Sequence, residues 1–326
     1  MAAGFLLVWY ATQVLLVVFA GILFGIFLSA LADLLATHTR LSHRWSLAAV
    51  IFALTSAVVG WIYFAFPSVA HEVDRVGAQI PALLTSWGTY LSHYRWGQWL
   101  LAREPLLEQS ILSKISIPKM ATSVTDLVLA IIIIIFIGIY VAAQAGLYIS
   151  GAVDLVSHEH RLPVSRTLME LGHMMRRWMV GRGVAMVSVG VIDGIGLSLI
   201  GVPLAGTLGV ISGLLTFIPY LGSLIALAPT IIIAATVSGG MAFWATVVHF
   251  VGQSVEAYLI TPLVQRRAVD LAPAVTIAAQ FLLGAWAGIP GILFATPIAA
   301  IIQFLVRKFY LSDQPQEPNE ASPPTS

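Results

Sequence analysis

The stretch that decides the fold is residues 194–255, GIGLSLIGVPLAGTLGVISGLLTFIPYLGSLIALAPTIIIAATVSGGMAFWATVVHFVGQSV, which contains no Asp, Glu, Lys or Arg. A helix needs about 20 apolar residues to cross the roughly 30 Å of hydrocarbon in a membrane. The stretch is therefore long enough for about three passes. It cannot form one helix, because breakers divide it at Gly201, Pro203, Pro219, Gly222, Pro229 and the pair Gly239 and Gly240.

The composition of the whole chain agrees with a membrane solvent. Hydrophobic residues make up 59% of the 326 residues and charged residues only 10%, whereas a soluble domain is about 45–50% apolar and about 25% charged. The net charge of +1 gives no basic field for nucleic acid, and no nucleic-acid partner is expected. Cysteine is absent, which excludes disulfides, thiol catalysis and thiolate metal sites.

Four further stretches lack Asp, Glu, Lys and Arg, at residues 1–32, 45–70, 127–153 and 271–306. The sequence therefore predicts an all-α, polytopic integral membrane protein with about five full transmembrane helices, two opposed re-entrant or broken-helix hairpins and an amphipathic extramembrane helical insert. The predicted division is residues 1–70 as N-terminal transmembrane helices, 71–123 as an amphipathic extramembrane helical insert, 124–153 as a transmembrane helix, 154–182 as a cytoplasmic amphipathic segment, 183–308 as a C-terminal transport core and 309–326 as a disordered tail.

Two helical hairpins of opposite orientation are predicted in the C-terminal core. Basic clusters in short loops favour the cytoplasm, and this rule places both ends of residues 204–240 outside and both ends of residues 272–306 inside. Each hairpin has breakers near its middle, and broken helices expose backbone dipoles that transporters use for binding. Two ordinary tight hairpins are the alternative. The residues of the broken-helix motifs are Pro219, Gly222, Pro229, Gly288, Pro290, Gly291 and Pro297.

Ionisable residues in apolar helices are the candidate functional groups, because a charge in hydrocarbon costs at least about 2.5 kcal/mol. His249, Gln253 and Glu256 fall at i, i+4 and i+7 and share one helix face. This stripe could bind a polar solute or relay a proton, or it could be hydrogen-bonded packing between helices. Asp193, flanked by Gly190 and Gly194, could take up a proton or a cation, or it could pair with a basic group.

Enzyme and cofactor chemistry is not expected. The sequence contains no Gly-x-x-x-x-Gly-Lys-Ser/Thr loop, no His-Glu-x-x-His helix and no Gly-x-Ser-x-Gly elbow. The run of residues 158–160, His-Glu-His, has no spaced partner cluster and is interpreted as a solvated turn. No cofactor and no metal site are therefore predicted.

Several motifs in the C-terminal half resemble the autoinducer-2 exporter family of bacterial membrane proteins. They are Phe-Ile-Pro-Tyr-Leu-Gly at residues 217–222 with Pro229, Gln253-x-x-Glu256 with Pro262, Leu271-x-Pro273, and Gly288-x-x-Gly291 with Pro297. The resemblance implies a multi-span secondary transporter of small solutes in the bacterial inner membrane, linked in some members to export of autoinducer-2 and in others to Na⁺/H⁺ exchange. A passive channel is the runner-up, and an intramembrane enzyme or scaffold is a third class.

The expected partners are therefore the lipid bilayer, a small polar solute and H⁺ or Na⁺. The tryptophan-rich face of residues 71–123 favours lipid headgroups or another subunit. A homo-oligomer is predicted on this ground.

Overall fold

The computed structural model describes residues 2–64, 117–262 and 271–311, and these residues form helices and turns without a β-strand. Five helices are long and apolar enough to cross a membrane: Ala11–Thr39, His43–Phe64, Thr125–Ala143, His158–Leu199 and Pro273–Tyr310. The predicted all-α, polytopic membrane fold is thereby confirmed.

The described residues contain nine α-helices, which are numbered in chain order. They are α1 (Ala2–Thr39), α2 (His43–Phe64), α3 (Ile117–Ala143), α4 (Ala145–Asp154), α5 (Arg161–Leu199), α6 (Ala205–Leu215), α7 (Leu221–Ala235), α8 (Gly239–Val255) and α9 (Pro273–Val306). A 3₁₀ turn (His158–His160) precedes α5, and π-helical turns continue α8 (Glu256–Ile260) and α9 (Arg307–Leu311). The chain divides into two compact units, Met1–Asp270 and Leu271–Ser326, which are described separately.

Helices α1 and α3 pack closely because glycines line their contact. A Cβ atom added to Gly25 would lie 2.8 Å from the carbonyl oxygen of Gly138, and one added to Gly21 would lie 2.6 Å from the side chain of Ile137. Small residues let helix backbones approach each other in membranes, where dispersion contacts drive association. Around this contact a buried core forms from Leu28, Ala32, Leu47, Val50 and Ala142 of α1, α2 and α3.

Helix α5 is continuous over 39 residues and is therefore about 58 Å long. It joins the predicted cytoplasmic segment (154–182) to the span that follows, because no proline interrupts it after Pro163, and a proline is tolerated in the first helical turn. This length exceeds the hydrocarbon thickness of a bilayer by about 28 Å. The predicted span 124–153 is in turn interrupted at Gln144, which separates α3 from α4.

The chain turns between α6 and α7 at the predicted motif Pro219 to Gly222. Tyr220 takes a positive φ of 64° and ends the turn, and the amide of Gly222 donates to the carbonyl oxygen of Ile218 at 3.0 Å. A side chain at Gly222 would collide with the carbonyl oxygen of Leu215, so glycine is required for this close turn. Pro229 lies inside α7.

In the second unit, α9 is kinked at Gly288, which has φ 67° and ψ −144°, outside helical values. Only glycine adopts such a conformation readily. Gly291 follows close to the carbonyl oxygen of Leu283, and Pro290 and Pro297 lie in the second arm of the helix. The chain thus changes direction at both predicted motifs, while the opposed orientation of the two hairpins stays a prediction.

Two sequence predictions concern residues outside the described ranges. Most of the predicted amphipathic insert, residues 71–123, falls in the range 65–116, which is not described. The predicted tail, residues 309–326, is described only as far as residue 311.

Candidate functional site

Helices α5 and α8 run antiparallel and touch along a seam that carries the candidate residues. Gly196 of α5 lies against Val248 of α8, and a Cβ atom added to Gly252 of α8 would lie 2.6 Å from Oδ1 of Asp193. Glycine at position 252 therefore makes room for a carboxylate between the two helices. We refer to this contact, from Arg182 to Gly196 on α5 and from Val248 to Glu256 on α8 and its π-helical turn, as the α5–α8 seam.

Helix α6 closes the other side of Asp193 by a glycine contact. Cβ atoms added to Gly209 and Gly213 of α6 would lie 2.6 Å from the carbonyl oxygens of Gly190 and Met186 of α5. Asp193 lies within this closely packed stretch of α5, and its exposed fraction is 0%. The apolar cluster of Leu197, Val202, Ala205, Leu208, Ala234 and Ala245 packs α5, α6, α7 and α8 together.

The carboxylate of Asp193 contacts the imidazole of His249, with 2.8 Å between Oδ2 and Nδ1. The side chains are 0% and 2% exposed, respectively. Sequence analysis selected both residues separately, one as a carboxylate flanked by glycines and the other as part of the polar stripe on α8. The structure brings them together across 56 positions of sequence.

The second ring nitrogen of His249 faces the broken hairpin. Its Nε2 lies 3.1 Å from the carbonyl oxygen of Ser223, in the first turn of α7. The hydroxyl of Ser223 donates to the carbonyl oxygen of Tyr220 at 2.8 Å, which holds this turn against the Pro219 to Gly222 motif. His249 of α8 therefore contacts both α5 and the first turn of α7, which directly follows the turn between α6 and α7.

Glu256 forms an ion pair in the seam. Its Oε1 accepts from Nη1 of Arg182 at 3.0 Å and from the hydroxyl of Thr261 at 2.9 Å. The side chains of Arg182 and Glu256 are 7% and 14% exposed. Glu256 also begins the π-helical turn, and such turns occur frequently at functional sites.

Sequence analysis did not select Arg182, because it was assigned to the cytoplasmic segment. One signal could have identified it: Arg182 precedes Asp193 by 11 residues, which is close to three helical turns and places both on one face of α5. A buried arginine and a buried carboxylate on the same helix face need partners on the facing helix, because a buried charge without a partner is strongly destabilising.

Three buried polar atoms in the seam have no hydrogen-bond partner within the described residues. They are Oδ1 of Asp193, Nε of Arg182 and Nε2 of Gln253. Buried polar atoms are normally paired, and each exception calls for an explanation such as a water, an ion or a ligand. Gln253 lies between His249 and Glu256 in the sequence and is retained as a candidate site residue because its Nε2 is one of these atoms.

A separate ionic cluster joins α5 to α1 and the start of α2. Asp33 accepts from Nη1 of Arg176 at 2.5 Å, and its other oxygen lies 2.6 Å from Nδ1 of His43. These three side chains are between 36% and 39% exposed. This cluster is outside the α5–α8 seam, and sequence analysis did not predict it.

The buried ion pair of Arg182 and Glu256 and the buried contact of Asp193 with His249 lie among apolar helices, next to a helix pair broken at proline and glycine. These features define a class: a polytopic membrane transport protein. The family model described as AI-2E family transporter matches residues 1–310. The chain belongs to the AI-2E transporter family, as its motifs predicted.

Two relatives from Bacillus subtilis (strain 168) are similar over most of the chain. "Putative transport protein YueF" is 26% identical over 267 residues, which cover 78% of this chain and 71% of the relative. "Putative transport protein YrrI" is 24% identical over 274 residues, 80% of this chain and 77% of the relative. "Putative transport protein MT0215" of Mycobacterium tuberculosis (strain CDC 1551 / Oshkosh) is 33% identical over 115 residues, 35% of this chain and 31% of the relative.

Proposed function

We propose that this chain is a secondary transporter of the bacterial inner membrane that moves a small polar solute, as an exporter or as an antiporter coupled to H⁺ or Na⁺. The observation that carries the proposal is the contact of His249 with Asp193 on one side and with the carbonyl oxygen of Ser223 on the other. In many secondary transporters the substrate and ion sites are formed at broken helices, and the ring of His249 contacts such a helix at Ser223.

The partnerless polar atoms of the α5–α8 seam support a polar solute. Nε of Arg182 and Nε2 of Gln253 are hydrogen-bond donors without a protein acceptor in the described part of the chain. A solute with hydroxyl, carbonyl or carboxylate oxygens supplies the acceptors that they lack. A quorum-sensing signal rich in hydroxyl groups belongs to this chemical class.

Glu256 is proposed as a binding group of the same pathway. Its carboxylate neutralises Arg182, and a buried arginine left without that partner would be strongly unfavourable. A solute oxygen that bonds to Arg182 competes with Glu256 for the guanidinium. Movement of Glu256 between Arg182 and a cation would then connect solute binding to ion binding.

We also propose that the protein forms a homo-oligomer. The ground is the aromatic face of residues 71–123 in the sequence, which favours a neighbouring subunit or lipid headgroups. Native mass spectrometry from several mild detergents tests it. A monomer mass in every detergent would contradict the oligomer without affecting the proposed transport activity.

Flux into liposomes tests the proposed function. The purified full chain is reconstituted, and uptake of a labelled polyhydroxylated solute is followed with a proton gradient, with a sodium gradient and with neither. We expect flux that depends on one of the gradients. We expect Glu256→Gln, whose amide oxygen can still accept from Arg182, to lose the gradient-dependent part when equal amounts of folded protein are compared. Equal flux under all three conditions would identify a passive channel, and unchanged coupled flux in Glu256→Gln would assign Glu256 to helix packing.

A further inference from the structure

The ring of His249 lies between two oxygen atoms that are both hydrogen-bond acceptors when Asp193 is ionised. Oδ2 of Asp193 faces Nδ1 at 2.8 Å, and the carbonyl oxygen of Ser223 faces Nε2 at 3.1 Å. A neutral imidazole has one N–H donor and one bare nitrogen, which is an acceptor. A neutral ring beside an ionised Asp193 can therefore satisfy only one of the two oxygens.

We propose that Asp193 and His249 together bind one exchangeable proton, and that this proton fastens the turn of the α6–α7 hairpin to α8. The inference rests on the proposed function and deepens it, because it identifies the coupling ion as H⁺. With the proton bound, either an imidazolium donates to both oxygens, or a protonated Asp193 donates to Nδ1 while Nε2–H donates to Ser223. Both forms hold the same number of protons and have the same net charge of zero.

Loss of the proton removes one of the two hydrogen bonds. The N–H that remains on the ring is at Nδ1 and donates to the ionised carboxylate of Asp193, because a charged acceptor binds it more strongly than a carbonyl oxygen does. The bare Nε2 then faces the carbonyl oxygen of Ser223, and two lone pairs repel each other at 3.1 Å. Once the proton has passed to water, this contact therefore opens and the first turn of α7 separates from α8.

Within the described residues, no other ionisable side chain is recorded in contact with the His249 ring. Among the described elements, those that pack most extensively against α8 are α5, α7 and its own π-helical turn. Helix α7 contains no ionisable residue, and neither does α6. The π-helical turn contributes Glu256, which is paired with Arg182 of α5. The separation of Oδ2 and Nδ1, 2.8 Å, is a hydrogen-bond distance, which a proton shared between the two atoms explains.

Nitrogen NMR of the histidine ring tests the proposal without any transport measurement. The full chain, with ¹⁵N-labelled histidine, is reconstituted in lipid bilayers, and His249→Gln identifies the His249 signals. At about pH 5 we expect Nε2 to carry a proton and Nδ1 to be hydrogen-bonded to the shared proton. Raising the pH stepwise from there should release one proton per chain and abolish the Nε2 hydrogen bond in the same transition.

Two aspartate variants sharpen this test. In Asp193→Asn the amide donates to Nδ1 and brings no exchangeable proton, so the Nε2 hydrogen bond should persist at every pH. Asp154→Asn is the matched control, since Asp154 is 69% exposed and pairs with Arg161. We expect its His249 signals to titrate as in the unaltered protein.

Three results would each overturn a defined claim. A bare ring nitrogen without a hydrogen bond at about pH 5 would overturn the proton site. A proton retained over the whole pH range would overturn its role as the coupling ion. A protein that binds and releases the proton but moves no solute in liposomes would refute the proposed transport function and leave the proton site standing.

Discussion

Helix α5 makes ionic contacts in two settings, and the contrast between them shows what burial does to a charge. At Arg176 the partners are Asp33 and His43, and all three side chains are more than one third exposed. At Asp193 the partner is His249, and the exposed fractions are 0% and 2%. Water can replace a lost partner in the first cluster, which limits the contribution of such a pair to about 1 kcal/mol. Water cannot replace a lost partner in the second pair, so removal of either side chain leaves the other buried without its partner.

The largest expected effect comes from removal of one buried partner. His249→Leu leaves the carboxyl of Asp193 buried without its imidazole, and we expect the free energy of unfolding in mixed detergent to fall by about 3 kcal/mol. The same change in the half-exposed cluster, His43→Leu, should cost less than about 1 kcal/mol. Similar losses in both variants would contradict the distinction between the two settings.

A smaller effect is expected from crowding the buried carboxylate. In Gly252→Ala the added methyl group would lie 2.6 Å from Oδ1 of Asp193, so either the carboxylate or one of the two helices must shift. We expect a loss of about 1–3 kcal/mol in the free energy of unfolding and a changed His249 ring signal.

Gly172→Ala is the matched control for that substitution. Gly172 lies within α5 and no atom lies within 4 Å of its added Cβ. Alanine should stabilise the helix there by about 0.5–1 kcal/mol. A stabilising effect of Gly252→Ala would show that Asp193 does not occupy the position described.

The smallest effect is expected at the half-exposed cluster itself. Arg176→Gln removes the ion pair with Asp33 but leaves His43 in contact with the carboxylate. We expect a change in unfolding free energy within about 1 kcal/mol and unaltered gradient-dependent flux. Loss of coupled flux in this variant would extend the functional region from the seam to α1.

Local sequence features predicted the helices and their breaks. Charge-free stretches give spans because hydrocarbon excludes ionised groups, and Gly288 marks its kink because its backbone adopts a positive φ of 67°. The continuity of α5 was not predicted. The polarity of its first half suggested a separate cytoplasmic segment, but polarity does not end a helix in the absence of a breaker.

The partners of the site residues could not be predicted from sequence. Asp193 and His249 lie 56 positions apart, and Arg182 and Glu256 lie 74 positions apart. Periodicity places residues on a helix face, but it does not determine which helix the face will contact. The glycines near Asp193 did indicate a close approach, although Gly252, which faces its carboxylate, is on another helix.

Flux in proteoliposomes under an imposed proton gradient tests the central claim, that the buried pair of Asp193 and His249 couples a proton to transport. The measurement compares the unaltered protein, Asp193→Asn and Asp33→Asn at equal reconstituted amounts. We predict that Asp193→Asn loses the gradient-dependent flux, and that Asp33→Asn, whose site is half exposed, retains it. Gradient-dependent flux that persists in Asp193→Asn would contradict the account.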